Sequence, residues 1–165
     1  MENQKGASLP KLIIIVFVII VATIVAINYA KKLTEESKLQ DLRTNMLLIQ
    51  AETKKDLEAV CFQSANLDKN NENDLAKINE IKQENLKGVL VQGSEAENSI
   101  PTEITIDANS YYLDKTILSE MGIKDSTPEE YGYFIVKYNF DDATVEVVNT
   151  KGYNGKYTLT QLEEE

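Results

Sequence analysis

Leu12-Ile-Ile-Ile-Val-Phe-Val-Ile-Ile-Val-Ala-Thr-Ile-Val-Ala-Ile27 is an unbroken apolar run without a single charge. With Leu9 on one side and Asn28 and Tyr29 on the other it comes to about 20 residues, roughly 30 Å as a helix and enough to cross a bilayer. Its β-branched content would also suit a buried strand, but no comparable segment exists elsewhere in the chain to cover such a strand. A membrane supplies the missing partner. Outward from the run, Lys5 and Lys11 precede it and Lys31, Lys32 and Lys38 follow it, so the balance of basic residues does not decide orientation. VAINYAKK makes a poor signal-peptidase site, because the run is too long and a long polar helix follows directly. An uncleaved anchor is the simplest reading.

The rest of the chain is acidic. A formal net charge of -10 over 165 residues leaves no basic groove, so no nucleic-acid partner is expected. There is no histidine and one cysteine, Cys61, which excludes an intrachain disulfide, a Cys/His zinc site and any acid-base scheme that needs an imidazole. No P-loop, G-x-S-x-G, H-E-x-x-H or G-x-G-x-x-G occurs, and no enzyme activity, cofactor or metal is expected.

From Ala30 to Phe62 there is neither proline nor glycine, and Leu39, Leu42, Met46, Ile49, Leu57 and Val60 recur at 3-4 spacing with Thr53 in the gap. One amphipathic helix is expected over 30–62, continuing the anchor, with Cys61 at the end of its stripe as a buried small hydrophobe. SANLDKNNEN (64–73) reads as a polar turn, and Leu75, Ile78, Ile81 and Leu86 predict a second helix ending at Gly88. Val89 to Asn109 reads as loops with an edge strand. Tyr111-Tyr112-Leu113 leads into DKTILSEMG, a strand end and then a helical turn closed by Gly122. YFIVKY (133–138) and TVEVVN (144–149) flank Asn139–Ala143 as a β-hairpin, with a third strand near Tyr157-Thr158-Leu159 after Gly152 and Gly155. Asp141 and Asp142 at the hairpin tip read as turn residues rather than calcium ligands. Glu163 to Glu165 read as a solvated terminus, and the seven tyrosines beyond the membrane helix as strand formers.

Lys5-Gly6-Ala7-Ser8-Leu9 before the apolar run resembles the N-terminus of type IV pilins and type II secretion pseudopilins, whose usual pattern is K-G-F-T-L-x-E. Ala26-Ile27-Asn28-Tyr29 followed by Lys31 is similar to the A-I-P-N-Y that often closes that helix, here without its proline. The C-terminal half also looks like the ends of pilin-like proteins from Gram-positive bacteria. The resemblance implies cleavage between Gly6 and Ala7 by a prepilin peptidase and N-methylation of Ala7. It implies an α+β fold, a long N-terminal helix packed on a small antiparallel sheet: leader 1–6, transmembrane helix 7–29, stem 30–62 and an extracellular head 63–165. The N-terminus would be cytoplasmic, and the partners would be membrane lipid, the peptidase and other pilin-like subunits through the N-terminal helix.

Two positions depart from the pattern. Lys11 stands where the family carries glutamate, and Pro10 where it carries an aliphatic residue. Ser8 keeps the hydroxyl half of a capping box, whereas Lys11 loses the carboxylate half and places positive charge at a helix N-terminus, a cost of about 0.3 to 1 kcal/mol. Pro10 is tolerated in a first turn, where its missing N–H has no partner in any case. In the family that glutamate is thought to pair with a neighbouring subunit's free amine, so Lys11 bears on assembly more than on anchoring. Two functions follow: a pilin-like or pseudopilin-like structural subunit, with a minor subunit fitting the missing glutamate best, or a non-polymerising anchored extracellular binding or sensory module.

Overall fold

The computed structural model describes the backbone from Leu9 to Ile123 and from Thr127 to Glu163, with side chains from Ile19 onward. The chain divides into two compact units, one ending at Gln40 and one over Asp41–Glu165. Helix α1 (Leu9–Ser64) belongs to both. The fold is α+β, with this long helix and a five-stranded antiparallel sheet.

In the first unit the described side chains are exposed on every side of the helix as far as Lys38. The two threonines satisfy their hydroxyls internally: Thr23 Oγ1 donates to the Ile19 carbonyl at 2.8 Å and Thr34 Oγ1 to the Ala30 carbonyl at 2.9 Å. Among the described residues no helix is long and apolar enough to cross a membrane. The apolar run begins at Leu12, however, and its side chains before Ile19 lie outside the described residues.

In the second unit α1 turns amphipathic. Met46, Ile49, Thr53, Leu57 and Val60 are fully or almost fully buried, and Leu42 is half-buried. Thr53 joins an apolar stripe because its hydroxyl donates to the Ile49 carbonyl at 2.7 Å, so no buried donor is orphaned. The polar turn after α1 ends at Asn71, whose side chain caps α2 (Glu72–Asn85) by accepting from the Asn73 and Asp74 amides. This helix stops three residues before the expected Gly88. That glycine, at φ +117, instead lets β1 (Val89–Leu90) approach the strand that carries Tyr111, since a Cβ there would lie 2.8 Å from the Tyr111 Cβ.

The sheet is a meander in the order β1, β2 (Ser110–Leu113), β3 (Phe134–Asn139), β4 (Thr144–Tyr153) and β5 (Lys156–Thr158), every pair antiparallel. Between β2 and β3 lie α3 (Lys115–Glu120), capped by Asp114 accepting from the Ile117 amide, and α4 (Pro128–Tyr131), a turn the sequence reading did not anticipate. Strand side chains alternate between faces. Phe134, Val136 and Tyr138 point to one face beside Val145, Val147 and Asn149 of β4, and all six are buried. Gln50 on α1 reaches this side, its Nε2 donating to the Val145 carbonyl at 3.2 Å.

On the opposite face Ile135 and Val148 are equally buried. They pack with Val91, Ile100, Ile104, Ile106, Tyr112 and Tyr157. The segment between β1 and β2, read as loops, thus folds back as the second layer of the core. Coverage on both faces explains why Phe134-Ile135-Val136 runs apolar without alternation.

The third strand expected near Tyr157-Thr158-Leu159 forms as β5, Lys156–Thr158. β4 extends to Tyr153 and turns through Asn154-Gly155, at φ 50 and 75, into β5, while Leu159 opens the short helix α5 (Leu159–Glu163). Register slips between Val148 and Tyr153, where a bulge forms around Asn149. Asn149 is 1% exposed; its Oδ1 accepts from the Lys151 and Gly152 amides, and its Nδ2 donates to the Tyr131 carbonyl at 2.9 Å. Replacing it strands all three backbone groups. Asn149→Ala is expected to cost about 2–3 kcal/mol in urea unfolding of the full chain; a loss below about 0.5 kcal/mol, the range typical of surface substitutions, would show that the bulge holds itself.

Candidate functional site

The residues singled out from the sequence divide by location. Gly6 and Ala7, the expected processing pair, lie outside the described residues. So does the Lys11 side chain, although its backbone lies in the first turns of α1. Asp141 and Asp142 act as turn residues: both amides donate to Asn139 Oδ1, and Asn139 Nδ2 donates to Asp142 Oδ2 at 3.0 Å. Ala143 completes that turn at φ 49, in left-handed backbone. Cys61, expected to be buried, is instead half-buried, because it sits where the stripe of α1 leaves the sheet and meets a groove.

That groove, about 850 Å³, runs between the last turns of α1, helix α2 and the β3–β4 hairpin. Its acids are engaged. Asp107 Oδ1 accepts from the Asn109 amide and the Ser110 hydroxyl, Asp141 pairs with Lys69 at 3.0 Å, and Glu146 with Lys137 at 2.6 Å. Lys82, on α2, differs: its Nζ sits 3.8 Å from the centroid of the Phe140 ring, and no described carboxylate pairs with it. Burial lowers its pKa and the charge of Lys69 lowers it further, against the opposing effect of Cys61. The Phe140 ring stacks in turn on Tyr138, with centroids 6.3 Å apart. Nothing in the sequence marked Lys82, since the hairpin brings Phe140 to it from across the fold.

A second polar cluster ties α1 to the sheet. Lys87 Nζ lies 3.7 Å from Asp56 Oδ2 and 3.8 Å from Glu52 Oε2, while the Tyr138 hydroxyl donates to the Lys87 carbonyl at 3.1 Å. Burial pushes the Tyr138 phenol far above its ordinary range. Burial also raises the Asp56 carboxyl, against the opposing pull of Lys87, and Asp56 Oδ2 has no hydrogen-bond partner. These contacts hold α1 against the segment that leads into β1.

No protein-family model matches the chain, and comparison with curated proteins and with solved structures finds no match.

Because the native pKa of Asp56 is raised, the folded state takes up this proton before the unfolded state does. Stability from this group is therefore fully present at low pH and is lost as pH rises through the native pKa. A carboxyl-detected NMR titration should place Asp56 above 3.8, and Lys87→Met should move it higher still. A midpoint at or below 3.8 would show that Lys87 outweighs burial.

Proposed function

We propose that the chain is a pilin-like or pseudopilin-like structural subunit. In this reading its N-terminal helix is held in the cell membrane, its N-terminus is cytoplasmic and its acidic α+β unit extracellular. The observation that carries the reading is the bare apolar surface of α1. Ile19, Ile20, Val21, Ile24, Val25 and Ile27 are each 43% to 62% exposed. Such a surface is unstable in water and calls for lipid or neighbouring apolar helices. The internally bonded hydroxyl of Thr23 lets that residue share the same environment.

The Lys5-Gly6-Ala7-Ser8-Leu9 segment and the Ala26-Ile27-Asn28-Tyr29 ending support a prepilin identity within the broader anchored class. A helix first and an antiparallel sheet later is the matching order of parts. Lys11 in place of the family glutamate favours a minor subunit, which need not repeat along a filament of a pilus or secretion system. The same residue favours a second reading, an anchored module that never polymerises.

Intact mass and N-terminal sequencing of the protein from native membranes separate the two. The subunit reading expects a chain that begins at N-methylated Ala7. A chain that begins at Met1 would contradict it and leave the anchored module.

A further inference from the structure

The groove beside α2 has a feature that membrane anchoring does not require. Within a chain of net charge -10, it holds an ammonium group with which no described carboxylate pairs. Each acid lining the groove is already engaged: Asp107 by Asn109 and Ser110, Asp141 by Lys69, and Glu146 by Lys137. Among the described residues Lys82 has the face of Phe140 and the nearby Cys61 thiol, and no carboxylate. A cation–π contact contributes about 0.5–1 kcal/mol at exposed sites and rises to about 2 when desolvated. Compensation of that size leaves a half-buried lysine short of what an acid would provide. An ammonium that no described carboxylate pairs, set in a concave site, therefore marks a place where a ligand completes the pairing.

We propose that this groove binds a small anionic ligand, a carboxylate- or phosphate-bearing molecule, with the Lys82 ammonium as its principal charge contact and Phe140 as its apolar wall. The volume of about 850 Å³ lies within the range of roughly 300–1,000 Å³ usual for small-molecule sites. Lys69 supplies a second positive charge. Its bridge to Asp141 is exposed, with side-chain exposures of 69% and 85%, so an incoming anion displaces it at little cost. Burial lowers the Lys82 pKa, and a bound anion would reverse that change by stabilising the charged form. The site is built entirely within Asp41–Glu165, so it stands whether or not the chain assembles with other subunits.

The test is an NMR titration of the full chain with lysine ε-carbons labelled, using sodium succinate and inorganic phosphate as separate probes at constant ionic strength. The Lys82 Cε resonance and the Phe140 ring resonances should shift saturably with at least one probe. Lys77 and Lys151, on other surfaces, should show only a shallow linear drift. Saturation by succinate alone identifies a carboxylate ligand, and saturation by phosphate alone a phosphorylated one. Lys82→Met should weaken the response, followed at Phe140, about tenfold or more, the loss of one charge-assisted hydrogen bond. Lys82→Arg, which keeps the charge and volume, should retain it and guards against a folding defect. A Lys82 signal that drifts in parallel with Lys77 for both probes, or a Lys82→Met protein that binds as the parent does, would overturn the proposal.

Discussion

Apolar surface on a helix has to be covered, and in this chain α1 meets that demand differently along its length. At Ile19–Ile27 the apolar side chains are exposed with nothing from the described chain upon them. From Met46 to Val60 a one-sided stripe is sealed within the second unit. The β-branched residues of the first stretch have modest helix preference in water. In lipid, by contrast, a helix is the one single-segment conformation that satisfies every backbone N–H and C=O. A composition that would suit a strand in an aqueous core is helical here, which is the conformation a lipid surrounding would favour.

The second unit solves the opposite problem, making a small sheet stable in water. Burial on both faces of β3 and β4 roughly doubles the apolar area that each strand contributes, and a fully covered Phe134 or Ile135 adds about 1.5–3 kcal/mol. The second layer comes from an irregular segment, which survives burial because its backbone groups find partners. The Val91 amide, for instance, donates to the Ser110 carbonyl at 3.0 Å, and the Ser94 amide to the Val91 carbonyl at 3.0 Å. Asparagine and aspartate side chains do the remaining work at Asn71, Asp114, Asn139 and Asn149, each taking backbone amides that would otherwise lack acceptors. A chain with few glycines and prolines can in this way still turn sharply.

Local signals were legible in the sequence and non-local ones were not. The 3-4 spacing of Met46, Ile49, Thr53, Leu57 and Val60 marked the buried side of α1 residue by residue, because helix periodicity is carried within one segment. The β3–β4 hairpin was equally readable from the two strand-forming runs around Asn139–Ala143. The packing of Val91, Ile100, Ile104 and Ile106 on the sheet was missed, since spaced isoleucines in a loop have no period that reveals what they cover. β5 was legible to within one residue from the Gly155 turn directly before it. The lysine-lined groove was invisible in principle, because Lys82 and Phe140 are far apart in sequence and meet only when the hairpin folds over α2.

Anchoring of this chain requires that the exposed apolar length of α1 lie in lipid. The most direct measurement places a nitroxide at Val25→Cys in a Cys61→Ser background and compares its collision rates with oxygen and with a water-soluble nickel chelate in native-lipid vesicles. Burial in the bilayer predicts high oxygen and low nickel accessibility at position 25, with the reverse for a label at Lys32→Cys. Equal, water-like nickel accessibility at both positions would contradict it.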